Sequence, residues 1–137
     1  YVPADDLSDP AVQMIQRELD STLVLSRRVA EQGIRPAVDL LRTSSSLLSP
    51  EVVGARHYEL SLRVQSILQK YESLRTIIAI IGESELSIED KKDYNRAKDI
   101  IQYFSQRASV TEDLNGAKGE YYTIEQTLSG LEKILKD

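Results

Sequence analysis

Apolar residues recur through the second half of the chain at helical spacing. From Leu60 they fall at Val64, Ile67, Tyr71, Leu74, Ile78 and Ile81, in alternating steps of four and three. This heptad rhythm predicts an amphipathic helix with one apolar stripe. Ser49-Pro50-Glu51 has the cap-then-proline order of a helix start, and Gly82 suits a helix stop. Unbroken from Pro50, that helix would be about 48 Å long at 1.5 Å per residue. Ser87 and Asp90 stand at capping-box spacing, with Asp in place of the preferred Glu. A second helix should run from there to about Gln106, with Tyr94, Ala97, Ile101 and Phe104 on one face. Residues 107–122 lack periodicity and contain Gly116 and Gly119, so they read as a loop. Thr123 and Gln126 form a last capping box, and Leu128, Leu131 and Leu135 carry the final helix.

The first part has shorter patterns. Asp9-Pro10 predicts a helix to about Leu19, with Val12, Ile15 and Leu19 on one face. Thr22-Leu23-Val24-Leu25-Ser26 reads as a strand. Arg27 to Gln32 allows one or two helical turns closed by Gly33, and Arg35-Pro36 disfavours helix at Arg35. Thr43 to Ser46 has loop chemistry. One helix, one strand and a second short helix cannot bury a core. Residues 1–48 therefore read as the C-terminal edge of an incomplete α/β domain, and residues 49–137 as a helical domain. The chain opens on Tyr1 rather than Met, as a fragment would.

Composition narrows the chemistry. The 137 residues allow one modest domain, and 41% apolar with 28% charged content fits a globular chain. A net charge of −5 without a Lys/Arg stripe argues against a nucleic-acid surface. The longest apolar run, Ile77 to Ile81, is far short of the roughly 20 residues of a membrane span. With no cysteine, thiolate metal sites and Cys nucleophiles drop out. His57 is the one histidine and reads as a packed partner of Tyr58. Asp5-Asp6 is too small an acidic pair to argue for a metal. Phosphate-loop, dinucleotide and nucleophile-elbow motifs are all lacking, so spacing alone indicates no catalytic residue.

The segment Glu83-Ser84-Glu85-Leu86-Ser87-Ile88-Glu89-Asp90 places four acids in eight residues, between two helices. Two readings compete. Acids at a helix N-terminus favour the dipole and keep a turn solvated. Alternatively the tip is a contact surface, with Leu86 as its apolar point.

Several runs resemble the F-type ATP synthase β subunit. They are Tyr1-Val2-Pro3-Ala4-Asp5-Asp6-Leu7-Ser8-Asp9-Pro10, Thr22 to Arg27, Pro36-Ala37-Val38-Asp39, Val53-Gly54 through His57-Tyr58, and Ile77 to Gly82. The acidic segment matches that family's DELSEED tip. The resemblance keeps its order along nearly the whole chain. It implies a mainly α fold: a C-terminal helical bundle preceded by the last helix and strand elements of an α/β nucleotide-binding domain. It implies ATP or ADP with magnesium in the full-length parent and none in this stretch, whose catalytic groups would lie upstream. It implies α subunits and a central stalk (γ subunit) as partners, in the soluble sector of a membrane-bound complex. Residues 83–90 would touch the rotor, coupling ATP synthesis or hydrolysis to rotation. Tyr1, Arg35, Pro36, Thr111 and Leu114 would fall at the adenine.

The departures concern that adenine. The family places a tyrosine where this chain has Arg35, and an aromatic where it has Leu114. Gly33-Ile34-Arg35-Pro36-Ala37 also resembles the non-catalytic α subunit, and Arg42-Thr43-Ser44-Ser45-Ser46 replaces an Asp-Ser-Thr-Ser-Arg run. Arg can stack on a base, whereas Leu packs without a π-face. Three readings stay open: a catalytic β subunit with a modified pocket, a β-like paralogue with altered or lost catalysis in a specialised ring, and a helical interaction module.

Overall fold

The chain carries its core on one long helix. A computed structural model describes residues 1–2, 6–106, 112–116 and 118–136. Its elements in order are α1 (Pro10–Arg17), β1 (Ser21–Thr22), α2 (Arg27–Glu31), β2 (Ser44–Ser45), α3 (Pro50–Val53), α4 (Ala55–Ile81), a 3-10 turn (Glu83–Glu85), α5 (Ile88–Phe104), α6 (Glu112–Asn115) and α7 (Ile124–Lys136). The fold is mainly α, as expected.

Helix α4 buries Leu60, Val64 and Leu68 against Ile100 of α5 and Leu128, Leu131 and Leu135 of α7. Here the heptad expectation needs correction. Leu68 is buried where the rhythm named Ile67, which is only half-buried. A strict heptad seam serves one partner, and α4 has two, so its apolar stripe is wider. The expected helix from Pro50 is also broken. Gly54 adopts φ +83 and separates α3 from α4, leaving a 27-residue helix about 40 Å long.

The last capping box forms as read. Gln126 N donates to Thr123 Oγ1 at 3.2 Å, and Thr123 N donates to Gln126 Oε1 at 2.9 Å. Helix α7 is then fastened to α4 by Arg56. Its guanidinium donates to Glu132 through Nε at 2.7 Å and Nη2 at 3.1 Å, and to Glu125 through Nη1 at 2.7 Å. The same hydrogen bonds hold both carboxyls below the usual glutamate range. Arg63 donates to the Leu135 carbonyl at 3.4 Å, near the end of α7.

The first part holds together through backbone pairing more than through burial. Ser21 pairs with Ser45 and Thr22 with Ser44, antiparallel, and Leu25 bridges Val38. Ser44–Ser45, expected in a loop, is thus a strand: the backbone bonds of 20–26 need acceptors and donors, and 37–46 supplies them. The expected helix to Leu19 stops at Arg17. Its apolar face finds no core, since no residue of α1 is buried and Ile15 and Leu19 are exposed. Residues 107–111 and 117 lie outside the described residues, but the rest of the expected loop includes one helical turn, α6. Gly116 closes it at φ +62, donating to the Glu112 carbonyl at 2.8 Å.

Where α5 meets α7, Gly130 is required by close approach. A Cβ there would overlap the Tyr103 hydroxyl and reach its ring carbon Cζ at 2.5 Å. The Tyr103 hydroxyl donates to the Gln126 and Thr127 carbonyls at 3.2 and 3.3 Å, which fixes the ring over the glycine. Gly130→Ala should therefore destabilise the bundle by about 1–3 kcal/mol, the usual range for overpacking, despite alanine's better helix propensity. Chemical denaturation compared with Lys133→Ala checks this; a more stable Gly130→Ala protein would show that the approach is not tight.

Candidate functional site

Two sets of residues were candidates, and the structure treats them differently. At the hairpin tip, Gly82 ends α4 at φ +87 and Glu83–Glu85 makes one 3-10 turn. Ser87 then caps α5, receiving Asp90 N at 3.0 Å. The box closes by an unusual second bond: Asp90 is too short to reach back to the Ser87 backbone, so its Oδ2 accepts the Ser87 hydroxyl at 2.8 Å.

Leu86 is the main surprise. Expected as the exposed point of contact, it is only 7% exposed. It closes a second small core with Leu74 and Tyr94, against which Tyr71 and Ile78 pack. Burial of this one side chain folds the acidic turn back onto α4 and α5. The apolar surface that stands out at the tip belongs instead to Ile80 (79% exposed), Ile81 and Ile88 (78% exposed).

The tip's acids divide into tied and untied groups. Lys70 on α4 pairs with Asp90 at 3.0 Å and with Asp93 at 2.6 Å. Lys98 reaches Glu83 at 4.0 Å while lying 4.2 Å above the Tyr94 ring. Lys91 donates to the Ser84 carbonyl at 2.8 Å. Beneath them Tyr71 and Tyr94 stack with centroids 5.0 Å apart. Glu85 and Glu89 are exposed, and among the described residues neither pairs with a cation. The four acids that look equivalent in sequence therefore are not. Two anchor the turn, and two face outward.

The adenine candidates are not brought into one site. Tyr1 is fully exposed and lines a cleft with Leu23 and Leu25, whereas Pro36 lines a different cavity of about 280 Å³ between α2, α4 and α5. Arg35 is exposed, but its guanidinium is engaged: Nη1 donates to the Ala30 carbonyl at 2.9 Å and to its neighbour Ile34 at 3.0 Å. It thereby adds a second donor to a carbonyl at the end of α2 that Gly33 N already reaches at 3.0 Å. Its backbone fastens to the end of α5, with Gln106 N donating to the Arg35 carbonyl at 2.8 Å. Thr111 and the side chain of Leu114 lie outside the described residues. Among the described residues no group of three or more His, Asp or Glu could hold a metal ion.

The pair Arg28–Glu72 was not anticipated. One guanidinium nitrogen donates to both carboxylate oxygens, at 2.9 and 3.1 Å, joining α2 to α4. Residues 44 apart in sequence carry no shared pattern, so no signal could have found it.

These features sit in a known framework. The model of the C-terminal domain of V and A type ATP synthase matches residues 48–135, and that of the ATP synthase alpha/beta family nucleotide-binding domain matches residues 1–45. The chain belongs to the family of V and A type ATP synthase C-terminal domains. Its fold is also that of a solved ATP synthase subunit, NeqB, from Nanoarcheaum equitans, with 24% identity, a TM-score of 0.78 and 98% of this chain covered. The match spans 32% of that chain, so this sequence corresponds to about a third of that subunit's length. The F-type resemblance noted from the sequence thus resolves, at the coarser level, to an ATP synthase alpha/beta-type subunit. No helix among the described residues is long and apolar enough to cross a membrane.

Leu86→Ala should cost roughly 2–4 kcal/mol of stability, because it empties the second core, while Ile88→Ala should cost less than about 0.5 kcal/mol. Urea unfolding of both variants tests this; equal losses would mean that Leu86 is not the plug.

A pH dependence follows from the contacts of Asp90 with Ser87 and Lys70. The Ser87 hydroxyl, then the Lys70 ammonium, hold the Asp90 carboxyl below its usual range. A lowered folded pKa means the contribution is present above the ordinary Asp value of about 4 and is lost as pH falls through the folded value. Lys70 has the opposite sign: Asp93 and Asp90 raise its pKa, so its share is complete below about 10.4 and lost only above that. Asp90→Asn should lower the melting temperature at pH 7 and flatten its fall between about pH 4 and 2. Thermal melts across that window decide the point. The residual slope should come from the other lowered carboxyls: Glu125 and Glu132, held down by Arg56, Glu51, held down by its own backbone N–H and then Ser49, and Asp6, held down by Ser8.

Proposed function

We propose that this chain is the C-terminal part of a ring subunit of a rotary ATP synthase, of the V/A type, in which the α4–α5 hairpin carries force between the nucleotide domain and a central stalk. One observation carries the reading: the hairpin is packed to its very end, because the Leu74–Leu86–Tyr94 core sits directly beneath the tip. A hairpin frayed at its end could not transmit load. The V/A assignment is favoured by the domain family, whereas the F-type β alternative rests on the runs that resemble it.

In this reading ATP or ADP and magnesium belong to the full-length parent, which would act as an ATPase or synthase coupled to ion transport. The stretch 1–48 forms one edge of its nucleotide-binding domain. The exposed Met14, Leu19, Leu23 and Leu25 then face the rest of that domain. Partners are the neighbouring α-type subunits and the stalk, with nucleic acid uninvolved and the membrane reached only through the complex. That places the subunit in the peripheral sector of a membrane-bound complex.

A second reading, a paralogue with altered nucleotide handling, is favoured by Arg35. An arginine engaged with the Ala30 and Ile34 carbonyls offers a base less than a free aromatic face would. Both readings keep the lever.

In the assembled parent complex, replacing residues 83–86 with a short Gly-Ser turn should leave ATP turnover measurable while abolishing stalk rotation. Single-molecule rotation alongside a turnover assay reads both quantities. Undiminished rotation would remove the tip from the mechanism.

A further inference from the structure

We infer that Glu72 is a two-position latch, which holds α2 while paired with Arg28 and passes to Arg75 when α2 moves away from α4; this rests on the force-carrying reading above. The carboxylate is shared. Arg28 Nη1 donates to Oε2 at 2.9 Å and to Oε1 at 3.1 Å, and Arg75 Nη1 donates to the same Oε1 at 3.4 Å. The two cations differ in kind. Arg75 stands three residues further along α4 and stays within reach whatever α2 does. Arg28 comes from another element, 44 residues away in sequence.

Burial does not hold α2 in place, since none of its residues is buried. Arg28 and Glu72 line the cavity of about 280 Å³, with Val29 and Ile34 from the first part and Leu68, Ile101 and Phe104 from α4 and α5. Close-packed contacts resist displacement, whereas an exposed ion pair beside a cavity does not. Arg28, Glu72 and Arg75 are 48, 38 and 34% exposed, so the carboxylate changes partner in water without being desolvated. It is never stranded, because Arg75 accompanies it. Leu40 in the main core and the Gln106–Arg35 backbone bond keep the two parts joined as α2 moves. The latch therefore selects the angle between the parts. An exposed pair biases such an equilibrium by at most about fivefold, which leaves it free to release.

Glu31 on α2 and Ser73 on α4 are both exposed. Nitroxide-bearing residues placed there in the full-length subunit report the α2–α4 separation by pulsed electron resonance. The expected result is two separations, whose ratio each variant moves. Glu72→Gln and Arg28→Gln should each deplete the shorter one, by up to about fivefold. Arg75→Gln should enrich it, because Glu72 loses its alternative partner. About 1 M salt, where the Debye length is about 3 Å, should act like Glu72→Gln. Glu89→Gln on α5 should change nothing. The sign at Arg75 is decisive: if Arg75 merely buttresses the Arg28–Glu72 pair, its removal would deplete the shorter separation and overturn the latch. Separations that follow ATP or ADP yet ignore Glu72 and Arg75 would overturn the latch and leave the force-carrying hairpin standing. One fixed separation in every variant and with every nucleotide would overturn both.

Discussion

Leu60, Val64 and Leu68 leave one side of α4 and close against Ile100 of α5 and the three leucines of α7. Helices α5 and α7 take their positions on α4 from that contact. Ile100 is fully buried, and fully burying a side chain of its size is worth about 1.5–3 kcal/mol. The exposed Arg56 clamp on α7 is of a different kind. Its bonds are short and geometrically well formed, but they lie at the surface, where they set the direction of α7 more than its stability. Register is thus chosen by charge and held by leucine.

The same division of labour recurs at the tip. Lys70, Lys91 and Lys98 reach from α4 and α5 towards the turn, yet the turn's position is decided by Leu86 entering the core beneath it. One apolar residue in a strongly polar segment pins the backbone. This converts a six-residue connection, which would ordinarily be mobile, into a continuation of the helices.

Capping boxes were readable, since their chemistry is local: Thr123 with Gln126, and Ser87 with Asp90, form as their spacing indicates. The mainly α class followed from periodicity. The burial of Leu86 was not legible, because a lone leucine between acids has no period and its partners lie across a hairpin. Ser44–Ser45 was missed for a related reason: serine disfavours strands, and the pairing with Ser21–Thr22 is a tertiary demand of backbone hydrogen bonds. Nothing local in the sequence marks Gly130, and only the Tyr103 ring explains it. For the adenine candidates, sequence resemblance named positions one by one, but Tyr1, Arg35 and Pro36 face separate surroundings here.

A lever must also be loaded, and magnitudes indicate where. Arg28–Glu72 joins α2 to α4 about nine residues below the tip, roughly 14 Å along the axis at 1.5 Å per residue. Both side chains are more than a third exposed, so the pair contributes at most about 1 kcal/mol and would yield under force. Leu40 is better placed. It comes from the first part of the chain and packs against the main core that contains Leu68. An apolar contact of that kind resists displacement in every direction, because the interior is close-packed. Movement of residues 37–41 would therefore reach α4 through Leu40 and Leu68, with Arg28–Glu72 fixing only the angle. From Leu68 the path to the tip is continuous packing: one turn of α4 to Tyr71, its stack on Tyr94, and Leu86 beneath the acids.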